Sequence, residues 1–391
     1  MKFLLLCAAL LAAVVARAAE LTAIRVRDAA EFRAALAGAK PGTRLLLAGG
    51  AYGGGFQSAN LRGEPGRPVV IAAADPQNPP VFSNAKTGLQ LSNPAHLELH
   101  GLVFEKLSDN GLNIDDGGSF ADGDAGAHHV VLRGLIARDV GTTGNQDGIK
   151  LSGLRDFRVE GCTIERWGTG GGSAIDMVGC HRGVVIDCVI RHREPEPPNC
   201  TGVQCKGGTS DLAILRNRFE HAGGRAVNIG GSTGRPFFRP PLAAGAAPGT
   251  YAEARAIRVE GNTFVGGVAT MAFVGVDGAV VRFNTIGRPG RWALRILQEN
   301  RAPDFIACRN GIFSDNVIIF DSAAWASGGV NVGPGTAPET FSFARNWWWC
   351  RDQPDRSRPT LPTPEIDGVY ARDPVEAKGQ AGAAAWPGGK S

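Results

Sequence analysis

The chain has 391 residues and a formal net charge of +4, from 41 Lys+Arg against 37 Asp+Glu. So slight an imbalance neither requires nor excludes an acidic partner and gives no ground for a nucleic-acid partner, while 43% hydrophobic residues exclude a compositionally disordered chain. Fifty-five glycines and many Val-Ile-Asn-Gly clusters predict an all-β chain of short strands and frequent turns.

The first element in chain order is a targeting segment. Lys2, the apolar run Phe3 to Val15 and the small residues Ala16 to Ala19 predict a secretory signal over 1–19. A secreted, periplasmic or extracellular mature chain follows, without a membrane span, because no later stretch approaches about 18 apolar residues. Seven cysteines would remain after cleavage, too few for a stapled scaffold of this length. Cys180 with Cys200 and Cys308 with Cys350 are the plausible pairs.

Residues 20–351 read as one unit. A short helix begins at Asp28, its N-cap, with Glu31 as capping-box partner. It serves to cover the open end of a repeat stack, whose first rung would otherwise expose unpaired backbone. From about Val69 a repeat sets in. Its second strand ends at Gly101, Gly134, Cys162, Cys188, Asn217, Asn262, Asn284, Asn316 and Asn346, at intervals of 22 to 45 residues. Five successive asparagines in equivalent turns can hydrogen-bond along a stack of rungs about 4.8 Å apart. The pattern predicts a right-handed single-stranded parallel β-helix of nine to ten rungs, three strands each. An insertion at 232–253 leaves the stack after a first strand, and Phe237, Phe238 and Arg239 are placed to wall a cleft. Trp347-Trp348-Trp349 closes the far end, and 352–391 forms a Pro/Gly-rich tail.

Alternation along the first strands turns Ile149, Leu151, Ile175, Met177, Val203, Cys205, Val227 and Ile229 inward. Val330 and Val332 share that side on a later rung. Facing outward are Asn113, Lys150, Asp176, Gln204, Asn228, Arg295 and Asn331, with Asp115, Ser152, Val178 and Lys206 in a second column. Small residues two positions earlier, such as Gly111 and Gly148, suggest an uncluttered strip beside this polar stripe. Together they have the form of a groove for a linear polymer. The same pattern also serves a plain solvated sheet face, and a non-catalytic carbohydrate-binding protein stays open. Histidines 128, 129, 181 and 192 read as surface residues near turns. Asp115, Asp116, Asp122 and Asp124, in a Gly-rich loop, offer oxygen ligands of the kind Ca2+ takes.

The segment Ala213-Ile214-Leu215, Asn217, Arg218-Phe219 resembles the rung of the pectate-lyase-like family of right-handed β-helices, and the likeness spans about 22–350. The openings AAEFRAALAGAKPGTRLLLAGGAYGG and GEPGRPVVIAAADPQNPPVF are similar to the chondroitinase B and alginate lyase branch. That resemblance implies β-elimination on an acidic, uronate-containing polysaccharide. In that branch a Lys follows a first strand and an Arg comes about one rung later. Lys206 in GVQCKGGTSDLAILRNRF matches the Lys and is the expected base. The Arg position departs, because RAVNIGG carries Asn228 and Ile229 there. Arg225, three residues earlier, or Lys150 is left to neutralise the substrate carboxylate. Asp176, Gln204, Asn228, Arg239 and Arg295 are expected to contact substrate, and Ca2+ is the cofactor such chemistry admits, with Asp147 and Asp176 as ligands. Asn145-Gln146-Asp147-Gly148 is similar instead to a polygalacturonase motif. The second Asp, Gly-His-Gly and Arg-x-Lys of that family are missing, so Asp147 reads as a turn-capping residue. A monomer is expected.

Overall fold

Along strands such as Ala95–His100 and Arg155–Glu160, buried and half-exposed residues alternate strictly, so each strand lays one edge on a core and one toward solvent. The computed structural model of the chain describes residues 22–121, 125–325 and 329–375. The signal segment, Asp122, Asp124 and the end of the tail lie outside the described residues.

The strands stack in three parallel sheets. The first has ten strands, from Phe56–Ala59 to Val330–Val332. The second has fourteen, from Thr22–Val26 to Glu365–Ile366. The third has twelve, from Gly50–Gly53 to Val369–Tyr370. Successive rungs pair in register, as in Ile175 with Val203 and Val203 with Val227. The ten-stranded sheet matches the nine to ten rungs expected, and the other two sheets run on past it. The inward residues of the first sheet from Ile149 to Ile229 are fully buried. Val332 departs and is 40% exposed, because its strand is the last of that sheet among the described residues and no described strand stacks beyond it.

The helix Ala29–Gly38 sits between the first two strands of the second sheet. Asp28 accepts from the amides of Ala30 and Glu31, as an N-cap does. Glu31 reaches back to the amide of Arg27 rather than to that of Asp28, so the capping box closes one residue early. Phe32 is buried 4.8 Å from the Phe56 ring and 5.6 Å from Phe82, which seals the N-terminal end of the core.

The asparagine ladder is present and buried. Asn217, Asn262, Asn284 and Asn316 each donate their backbone N–H and side-chain amide to the carbonyl oxygen of the next asparagine, at 2.8–3.0 Å. The Asn217 carbonyl oxygen extends the ladder one rung back by accepting from Cys188 N–H. At the other end Glu365 accepts both donors of Asn346 and the indole N–H of Trp348. The segment read as a tail from 352 therefore supplies two further short strands and the cap of the ladder. The cysteine pairing expected from the sequence is corrected, because all seven described cysteines are free and buried. The thiols of Cys162, Cys180, Cys188, Cys200 and Cys205 point at backbone carbonyls, and that of Cys350 at Asp352.

Candidate active site

The first sheet builds the outward column from register alone. Gln90, Asn113, Lys150, Asp176, Gln204, Asn228, Ala272, Arg295 and Asn331 stand one above the other on successive rungs. Beside it run Ser92, Asp115, Ser152, Val178 and Lys206. The strip of small residues is a packing requirement rather than an open groove floor. A Cβ at Gly111 would lie 2.5 Å from the carbonyl oxygen of Gly148, and one at Gly148 would lie 2.8 Å from that of Ala174.

The centre of the column is a chain of ion pairs. Asp176 is 3% exposed. The ammonium of Lys150 lies 2.6 Å from Asp176 Oδ2 and 3.0 Å from Asp147 Oδ2. Lys206 comes back diagonally from the next rung, 3.4 Å from Asp176 Oδ1 and 3.1 Å from the Gln204 carbonyl oxygen. Asp176 Oδ1 accepts no hydrogen bond among the described residues, so Lys206 is its only cationic neighbour there. One carboxylate is thus shared by two ammonium groups, one at each oxygen.

Asp147 is a structural partner. Its Oδ1 accepts the Ser173 N–H of the next rung at 2.7 Å, and its own N–H donates to Asn110. These contacts run to the neighbouring rungs, to Ser173 on one side and Asn110 on the other, and tie Asp147 into the stack. Burial, and then the negative charge of Asp176, push the Asp147 carboxyl up to about 6 against the opposing pull of Lys150. Burial alone would lower the Lys150 ammonium, but the charges of Asp176 and Asp147 outweigh it and hold it above the ordinary lysine range. The raised Asp147 has a consequence for stability. Between its unfolded value of 3.8 and about 6, the folded chain holds a proton that the unfolded chain has lost. The stability of the wild type relative to Asp147→Asn is therefore expected to fall as pH rises through that window, by on the order of 1–3 kcal/mol, and to level off above it. Denaturant titrations of both proteins across the window measure the difference, and a difference independent of pH contradicts the assignment.

The Lys150 ammonium occupies the position between Asp147 and Asp176, at 3.0 and 2.6 Å, so Ca2+ held by these two carboxylates would have to displace it. Of the acidic loop, Asp115 and Asp116 are among the described residues. Asp115 accepts from Gln90 and Gly117, and Asp116 accepts from Gly118 and Arg239.

The remaining expected site residues divide. Arg225 stays on the face but donates to Asn228 Oδ1 at 3.0 Å and to Glu299 Oε1 at 2.8 Å. No contact joins it to Lys206 among the described residues. Asn228 is buried, with its amide N–H turned to Gly230 O. Arg295 donates to Asn331 and lies 4.4 Å from the Trp292 ring, which carries Arg291 at 4.2 Å. Burial lowers its pKa. The Arg239 side chain is 13% exposed and bonds Asp116 at 2.5 Å, pinning the insertion to an earlier rung.

Phe238 and Arg239 do wall a cavity of about 350 Å3, with Arg155, His181, Tyr251 and Arg255 opposite, while Phe237 faces solvent. Glu253 is fully buried and closes the foot of the insertion by accepting from Gly207, Thr233 and Asn300. The sequence reading missed it. A lone acidic residue at the very end of the insertion was the available signal.

Three stacked parallel sheets with an asparagine ladder and a polar column on one face define a right-handed β-helix. Residues 87–286 match the family model of the right handed beta helix region, and the chain belongs to that family. The pectate-lyase-like architecture expected from the rung pattern is met. Among proteins of curated function, none matches the chain by sequence. In three dimensions it is similar to an alginate lyase from Paenibacillus sp. str. FPU-7, with TM-score 0.56 at 17% identity over 82% of this chain and 99% of that one. It is also similar to a GH136 lacto-N-biosidase from Eubacterium ramulus, with TM-score 0.60 at 11% identity over 89% of this chain and 67% of that one. A mannuronic acid specific polysaccharide family 6 lyase from human gut microbiota aligns with TM-score 0.52 at 14% identity over 90% and 84% of the two chains. At these identities the likeness carries the fold. No helix among the described residues is long and apolar enough to cross a membrane.

Proposed function

We propose that the outward column of the first sheet acts on an acidic polysaccharide as a lyase, with Lys206 as the base. The observation that carries this reading is the sharing of Asp176 between Lys150 and Lys206. Lys150 and Lys206 set two ammonium groups against the two carboxylates of Asp176 and Asp147, so both carboxylates are compensated and present no net negative charge to an arriving uronate. Lys150 also keeps Asp176 compensated when Lys206 gives up its proton, so Lys206 can work as a base without stranding a buried charge. Elimination then breaks the C–H bond beside the uronate carboxylate. Lys206 takes that proton, the electron pair forms the carbon–carbon double bond, and the glycosidic oxygen leaves with its bonding pair and is protonated by water. Arg225, on the rung after Lys206, steadies the carboxylate at the expense of its bond to Glu299. Gln204 lines the polymer track, Asn228 holds Arg225 beside it, and Arg295 with Trp292 stands three rungs from Gln204 as a distant subsite. Ca2+ has no part in these steps. Likeness in fold to two polysaccharide lyases supports the reading and does not decide it.

Lys206→Ala is expected to lower kcat for a uronate polymer by about 100-fold or more, while polymer affinity changes far less. Steady-state kinetics with a binding isotherm for the same polymer measures both. A variant with unchanged kcat sinks the assignment of the base.

A further inference from the structure

Three histidines that the sequence scatters over two rungs converge at the entry to the second sheet. The strands Ala95–His100 and His128–Arg133 pair with Ala95 opposite His128 and Leu97 opposite Val130, so His96 and His129 occupy the same place on successive rungs. Both are in the left-handed region, at φ 45° and 53°. This turns the two side chains to the same side, where the rings stack with centroids 4.6 Å apart. His128, buried at 4% exposure, stands edge-on to both, and its Nδ1 is 2.7 Å from Nδ1 of His129. One ring nitrogen of each histidine lies within 4.8 Å of the others, and exposure rises from buried His128 through half-buried His96 to exposed His129.

We propose that His96, His128 and His129 form a binding site for one divalent transition-metal ion of the zinc type, apart from the column of the first sheet. Three neutral imidazole nitrogens are the donors that Zn2+, Co2+ or Ni2+ prefers, and Ca2+ does not. Bound tetrahedrally at about 2.0–2.1 Å, they would leave a fourth position for water or an exogenous ligand. Arg62 orients the group from behind. Its guanidinium donates to Asn93 O and Gly126 O and lies 3.4 Å from His128 Nε2. Because arginine only donates, His128 carries its proton on Nδ1, shared with Nδ1 of His129. Metal capture moves that proton to Nε2, opens the short Nδ1 contact and breaks the long Arg62 contact, while Arg62 keeps its carbonyl partners. The charge of Arg62 weakens the site. Asp156, one rung beyond His129, offsets it only in part, because it is itself bonded to Arg182.

The test uses untagged, chelator-treated full chain titrated with Co2+ and read by its visible d–d absorption, with Zn2+ as competitor. One equivalent of saturable uptake, displaced by Zn2+, is expected. His96→Asn with His129→Asn keeps residues that tolerate the left-handed backbone and is expected to weaken binding at least about tenfold, with unchanged far-ultraviolet circular dichroism. His129→Asn alone, at an exposed position, gives the same direction if the double variant misfolds. Absence of saturable uptake, or equal affinity in wild type and His129→Asn, overturns the site.

Discussion

Asn284→Ala is expected to lower the unfolding free energy by about 3–5 kcal/mol, the largest effect of any single substitution away from the column. Asn284 Oδ1 accepts both donors of Asn262, and its Nδ2 donates to Val259 O, Arg282 O and Asn316 Oδ1 at 2.9–3.0 Å. Alanine removes all of these at a site with no exposed surface. The Asn262 backbone N–H and the Val259 carbonyl are then orphaned in the core, each at about 1–3 kcal/mol, and a small cavity is added. The rung stack lets the break stay local, because each rung touches only its neighbours. Hydrogen exchange of the Asn262 amide should therefore quicken more than that of amides several rungs away. A loss under about 1 kcal/mol would mean that water replaces the ladder at no cost, against its burial.

Asp176→Ala is expected to cost about 2–3 kcal/mol, less than the 3–5 of a fully buried pair because Lys150 is partly in water. The carboxylate is the shared partner of Lys150 and Lys206, and its removal leaves Lys150 on Asp147 alone. Asp176→Asn isolates the charge from the shape. In that variant the like charge that raises Asp147 is gone, so Asp147 should titrate at lower pH and its stability window should shift toward acid. Paired denaturation curves across pH measure both effects. If Asp176→Asn leaves the window in place, burial alone raises Asp147 and the coupling between the two carboxylates is absent.

The parts legible in the sequence were those set by local rules. Alternation with period two placed Lys150, Asp176, Gln204 and Asn228 outward, and the return of the same strand on every rung placed them in one column although rung lengths vary. The asparagine turns showed themselves because every rung asks the same of that position. What stayed hidden depends on long side chains choosing partners across the fold. Lys206 turns diagonally to Asp176 on the rung before. Arg225 turns to Glu299, 74 residues on, and Arg239 to Asp116, 123 residues back. Glycine at 111 and 148 looked like groove floor because composition cannot tell room for a ligand from room for a neighbouring carbonyl. Glu365 sat in a Pro-rich stretch without strand pattern, and only the open end of the ladder gives it a role.

The most direct test of the central claim is to incubate the full chain with soluble uronate polymers and follow ultraviolet absorbance and reducing ends together. Elimination predicts that both rise in parallel, because every cut makes one unsaturated end and one reducing end, and that chelator leaves the rate unchanged. Reducing ends without absorbance, or polymer retained with neither signal, would contradict it.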